Sequence, residues 1–142
     1  MNFWNDMSLH AIAYVSAASW NLLDEQVDRI VSESRRLNAL NGVSGMLLYC
    51  DGNFMQYLEG EEDAVMATFA RIRANECHYQ INELMNQAIA EREFGDSAMG
   101  FSRPGPGEFV ELTASHWRGD RQTGPGASLL QSFWASARGL GA

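Results

Sequence analysis

The stretch Gly42 to Gly60, GVSGMLLYCDGNFMQYLEG, is two apolar runs set around Asp51-Gly52. That dipeptide tolerates the positive φ angles of a two-residue hairpin turn, so the runs read as two antiparallel strands. Side chains alternate along a strand, which places Phe54, Gln56 and Leu58 of the second run on one face. Gln56 is then an amide on an otherwise apolar face. A buried amide without a partner is costly, so Gln56 needs one. A structural bond to backbone or water and a functional contact both satisfy that need.

Upstream, Leu9 to Ser16 (LHAIAYVS) alternates as a strand, with His10, Ile12, Tyr14 and Ser16 on one side and Leu9, Ala11, Ala13 and Val15 on the other. Tyr14 reads as a core aromatic with a satisfied hydroxyl or as a site residue. A helix follows to about Leu40, with Asn21 as its expected cap and Asp24 and Glu25 near the positive end of its dipole. Leu23, Val27, Ile30, Val31 and Ser34 form its expected inward stripe, and Asn38 continues that stripe. The charges of Asp28, Glu33, Arg35 and Arg36 are expected to face mostly away. Asn38, just before Asn41-Gly42, also suits a helix terminus or turn.

Downstream, Gly60-Glu61-Glu62-Asp63 opens a second helix whose stripe is Val65, Phe69 and Ile72, with Arg71 and Arg73 near its end. Solvation or support of the helix terminus would account for either arginine. Ile81 to Ala90 reads as a strand with helix as the competing assignment, and Ala98 to Phe101 as a short last strand. Arg103-Pro104-Gly105-Pro106-Gly107 and Gly124-Pro125-Gly126 are breaks, and Glu108–Trp117 and Ser128–Arg138 are expected helices beyond the first break. The order strand, helix, strand, strand, helix, strand, plus a short fifth strand, predicts an α+β, ferredoxin-like mixed sheet with two helices on one face. The C-terminal helices are expected over the other face.

Composition narrows the function. An apolar share of 46% and a charged share of 20% are those of an ordinary globular chain. A net charge of −8 argues against nonspecific binding to nucleic acid or anionic membrane. No run is apolar for long enough to span a bilayer, and MNFWNDMSLH lacks the features of a signal peptide, so a cytoplasmic protein is expected. Cys50 and Cys77 make neither a disulfide framework nor a zinc site, and His10, His78 and His116 are too scattered for a metal. Nucleophile-elbow, P-loop, zincin and dinucleotide fingerprints are absent from the sequence. What remains is Tyr14, Asn38 and Gln56, three polar groups on inward faces. If the first and third strands are neighbours, Tyr14 and Gln56 lie side by side beneath the helices. A phenol, two amides and apolar walls suit a flat heterocycle that needs hydrogen bonds along one edge.

From Leu9 to Phe101 the chain resembles the BLUF domains, blue-light sensors that use flavin. The matching residues are Tyr14 and Ser16, Asn38, GVSGMLLY, NFMQYLEGE from Asn53, Phe69-x-Arg71-Ile72, His78, Arg92-x-Phe94 and AMGF from Ala98. The resemblance implies FAD between the two helices, with FMN or riboflavin as alternatives. Tyr14, Ser34, Asn38, Phe54, Gln56, Arg71 and His78 would hold it, Asn38 at the ring edge and Arg71 toward the phosphates. Tyr14 would give an electron and a proton to the excited flavin through Gln56, whose change of tautomer or orientation shifts the absorption to the red. Met99 would relay the change. Leu37 stands where the family often has a second polar residue, and Ser97 where many members have tryptophan.

The expectation is thus a BLUF domain over residues 1–101 and a linker with helical extension over 102–142. It would be a photoreceptor and not an enzyme, homo-oligomeric, signalling by noncovalent contact to an unidentified protein partner. A small flavin-dependent oxidoreductase and a ferredoxin-like interaction module without flavin are the rival readings.

Overall fold

The structure is a computed structural model that describes residues 8–19, 22–94 and 99–103. In chain order it contains β1 (Leu9–Ala18), α1 (Asp24–Asn41), β2 (Ser44–Cys50), β3 (Asn53–Glu61), α2 (Glu62–Arg73), β4 (His78–Ile89) and β5 (Gly100–Ser102). The five strands make one sheet in the order β4-β1-β3-β2-β5, antiparallel except for the parallel β2/β5 pair. This is the expected ferredoxin-like arrangement. The 81–90 segment is a strand, as its pairing with β1 decides against the helix its composition also allows.

The β2–β3 hairpin turns on Asp51 and Gly52, with φ of 48° and 82°. Both central residues in the left-handed region define the turn whose twist matches the flanking strands. It sets the register that pairs Leu47 with Gln56, and the β1/β3 ladder pairs Tyr14 with Gln56 on the other side. Gln56 therefore stands mid-sheet, one strand from Tyr14.

One sheet face carries both helices. Val27 and Val31 of α1 and Val65 and Phe69 of α2 pack with Ile12, Tyr14, Leu47, Phe54 and Leu58. The first turn of α1 differs from expectation. Leu23, not Asn21, is the N-cap, and Asn21 lies outside the described residues. Leucine has no side-chain acceptor, so Gln26 Oε1 reaches back to accept the Leu23 N–H at 2.7 Å. At that cap position Leu23 is 62% exposed, and the buried stripe begins at Val27. The helix ends at Gly42, whose φ of 69° suits a left-handed C-cap.

The opposite face buries Ala11, Ala13, Met46, Leu48, Met55 and Tyr57 with Phe94. Within it Glu59 is fully buried, accepting from Ser44 Oγ at 2.7 Å and from the backbone N–H groups of Glu93 and Phe94 at 2.6 and 2.8 Å. Arg92 bonds Ser44 Oγ at 3.0 Å and the Gly42 carbonyl at 2.8 Å. This network ties the chain after β4 to the start of β2. The helices expected over this face lie outside the described residues.

Candidate functional site

Between α1 and α2 a cleft of about 500 Å³ opens over the sheet. Ile30, Ser34, Leu37 and Asn38 of α1 form one wall, Thr68, Arg71 and Ile72 of α2 the other, and Gln56 the floor. A smaller chamber of about 70 Å³, which shares Ser34 and Gln56 with the cleft, adds Tyr14, Phe54 and His78. The structure thus gathers all seven expected binding residues around two chambers that share a wall.

Helix periodicity explains the α1 wall, since Ile30, Ser34 and Asn38 are spaced by one turn each. Asn38 stands at the helix terminus and also at the cleft wall. Its carbonyl accepts the N–H groups of Gly42 and Val43, closing the helix, while its side chain lines the cleft and is 2% exposed. The cap is made by the backbone carbonyl.

Tyr14 donates its hydroxyl hydrogen to Gln56 Oε1. Gln56 Nε2 in turn donates to the Met99 sulfur at 3.7 Å, a long, weak bond of the kind thioethers accept. Burial, with a lesser contribution from nearby Cys77, pushes the Tyr14 phenol well above its ordinary range, so it remains a protonated donor. Its ring packs against Phe69 and edge-on to His78, at centroid distances of 5.5 and 6.0 Å.

His78 is held from two sides, by Ser16 Oγ on Nδ1 and the Ile72 carbonyl on Nε2, both at 2.8 Å. A carbonyl can only accept, so Nε2 carries hydrogen. His78 is thereby a wall of the lower chamber that pins the end of α2 to β1.

Arg71 is exposed and lines the cleft, so its charge stands at the solvent side, while Gln56 and Asn38 are buried at the inner side. Glu33 also lines the cleft. Its bond to Arg36, with a smaller effect of Arg71, holds its carboxyl below the usual carboxylate range. Arg73 instead lies over the Phe69 ring and 3.6 Å from Glu83.

Two residues escaped the sequence reading. Arg35, expected to face away, donates from Nε to the Met99 carbonyl at 2.8 Å. Cys77 lines both chambers, and burial raises its thiol pKa. Neither carried a signal, because an arginine on a polar helix face and a cysteine in a loop are ordinary. Ser97 lies outside the described residues. Among the described residues no group of side chains could hold a metal ion, and no helix is long and apolar enough to cross a membrane.

A ring system with polar atoms along one edge fits this donor set. The cleft volume is within the range of small-molecule sites, Leu22, Ile30, Leu37 and Ile72 give it apolar wall surface among polar side chains, and the buried amides of Asn38 and Gln56 line it.

Comparison with known proteins agrees. The model of the BLUF family, sensors of blue-light using FAD, matches residues 9–100. The photoactivated adenylate cyclase subunit beta of Euglena gracilis is 30% identical over 89 residues, 63% of this chain and 10% of that protein. The blue light- and temperature-regulated antirepressor BluF of Escherichia coli (strain K12) is 33% identical over 75 residues, 53% of this chain and 19% of the relative. The chain spans about a tenth of the cyclase subunit's length. Among solved structures, the dark state of the BLUF protein BlrB is 26% identical with a TM-score of 0.67, covering 92% of this chain and 97% of its own. A family match over most of the chain, carried by a five-stranded sheet with the cleft between its two helices, means that this protein belongs to the BLUF family of blue-light sensors.

Proposed function

We propose that the chain binds FAD in the cleft and senses blue light through the Tyr14–Gln56–Met99 series. The observation that carries the reading is the orientation of Gln56, with its oxygen on the phenol and its nitrogen on the sulfur. A bound flavin supplies blue absorption and, once excited, an electron acceptor.

Tyr14 is the donor in this scheme. An oxidised phenol is a strong acid, so its proton leaves along the existing bond to Gln56 Oε1. Gln56 then changes tautomer or orientation. In the turned orientation Oε1 faces the Met99 sulfur, where two acceptors meet, and Nε2 faces the phenol oxygen. Met99 has lost its donor and repacks, and its flexible thioether does so cheaply. Asn38 and Ser34 bind and orient the ring, Phe54 and His78 close the lower chamber, and Arg71 meets phosphate at the solvent side.

FMN and riboflavin lack the adenylate part of FAD and would leave less for the cleft rim to hold. No step requires a second substrate, which favours a sensor over an oxidoreductase, and its signal would pass by noncovalent contact to a second copy or a partner protein. The test is the absorption of the purified chain before and after blue light, beside Gln56→Leu. Leucine keeps the volume and removes the reversible bonds. A reversible red shift in the wild type and none in flavin-loaded Gln56→Leu is expected; an equal shift in both would overturn the reading.

A further inference from the structure

The three-residue strand β5 is fastened to α1 at both ends. Just before it, Arg35 Nε donates to the Met99 carbonyl at 2.8 Å. Just after it, the Arg103 guanidinium lies 3.4 Å from Asp24 and 3.7 Å from Asp28, both on α1. The two fastenings are unequal. Asp24 and Asp28 are 89% and 72% exposed, and ion pairs at such sites are screened by water. The Arg35 bond is partly buried, and it falls on the residue whose sulfur accepts from Gln56.

We infer that Arg35 is a positioning residue of the light reaction. By holding the Met99 carbonyl it aims the thioether at the Gln56 amide, and it makes α1 the element that receives the movement of Met99. The inference rests on the reading of Gln56 as the switching group. Arg35 follows Ser34 in the chain, and Ser34 and Asn38 on the same helix line the cleft. A pull on Arg35 is therefore a pull on the helix that walls the site. With Arg35 in place the sulfur waits where the dark orientation of Nε2 can find it, which favours return from the lit arrangement. Without it Met99 drifts and the lit arrangement persists.

The experiment uses the full flavin-loaded chain. Recovery in the dark after a blue flash is timed, and light-minus-dark infrared spectra are recorded with methionine labelled with carbon-13 at the carbonyl. Arg35→Ala is expected to keep flavin occupancy and the initial red shift, and to slow recovery roughly three- to tenfold, as befits a hydrogen bond that weights one state. The label-sensitive methionine carbonyl band should vanish from its difference spectrum. Arg35→Lys, which still offers an N–H donor, should restore part of both. Wild-type recovery and an intact carbonyl band in loaded Arg35→Ala overturn the inference. Equal slowing in Arg103→Ala also overturns it, since that would report general loosening of β5. If Arg35→Ala does not fold, Arg35→Met, which keeps much of the side-chain length and has no N–H donor, carries the test, and wild-type recovery with an intact carbonyl band in it overturns the inference. Absence of any red shift in the wild type removes the switching reading itself, whereas a normal shift with unaltered Arg35 variants removes only the role of Arg35.

Discussion

Gln56 reaches the Met99 sulfur with its nitrogen while its oxygen accepts from Tyr14, so one amide on β3 joins β1 to the approach of β5. The Tyr14 end is set by the β1/β3 register and the Met99 end by β2, where Leu47 pairs with Gln56 of β3 on one side and with Phe101 of β5 on the other. An amide has a donor end and an acceptor end. It cannot turn over without changing both contacts at once, which makes a local rearrangement legible two strands away.

Tyr14→Phe is expected to fold, bind flavin and lose the red shift. Phenylalanine keeps the ring packed on Phe69 but removes the hydroxyl that donates to Gln56. The cost in stability should be about 1–3 kcal/mol, that of leaving Oε1 short of a buried donor. Light-minus-dark absorption and a urea titration measure the two effects, and a full red shift in this variant would identify a different electron donor.

The sheet, its hairpin and the pairing of Tyr14 with Gln56 were legible because period-two alternation and Asp51-Gly52 are local signals. The same applies to Asn38, which follows Ser34 by one helical turn. Arg35 was not legible. Its role comes from the parallel β5 pairing, a contact between segments 64 residues apart that no periodicity encodes. Leu23 misled for the opposite reason, since an apolar residue in phase with a stripe looks buried even where it is the cap. The burial of Glu59 was not legible either, because it depends on Glu93 and Phe94 folding back onto it, a contact no local pattern encodes.

Asn38→Ala separates the two roles of this residue. The backbone cap survives, so helix content and thermal stability should change little. Flavin affinity should fall roughly tenfold, the loss of about one good hydrogen bond. Titration of the apoprotein with FAD, followed by fluorescence quenching, measures it. Unchanged affinity would leave Asn38 as a helix terminus alone.

Alkaline pH should destabilise the chain steeply. Burial raises the pKa of Tyr14, of Tyr57 beside Glu59, and of Cys50 and Cys77. The unfolded chain then releases these protons first, so above about pH 9 it holds fewer than the folded one and stability falls as pH rises. The two deeply buried phenols, Tyr14 and Tyr57, each contribute up to about 1.4 kcal/mol per pH unit in the window between their two pKa values, and the thiols less. The chain has no lysine, so no ammonium side chain titrates in that window. Urea midpoints at about pH 8 and about pH 11 should diverge less in Tyr57→Phe than in the wild type. An equal divergence would show that Tyr57 keeps no proton the unfolded chain has lost.

Glu59→Gln tests the far face of the sheet. The two carboxyl oxygens accept from Ser44 Oγ and from the N–H groups of Glu93 and Phe94. Glutamine offers one oxygen and one NH2. Whichever way it is placed, an NH2 faces a backbone N–H, and the serine hydroxyl can turn to adapt while a backbone N–H cannot. One buried donor is therefore orphaned at a cost of about 1–3 kcal/mol. Asparagine-like shrinkage is not involved, so the loss is one of polarity and not of packing. Hydrogen exchange at the Glu93 and Phe94 amides should accelerate by a larger factor than exchange in β1, because the damage is confined to the segment that leads toward Met99. Uniform acceleration would instead mean that Glu59 supports global stability and has no special hold on that segment.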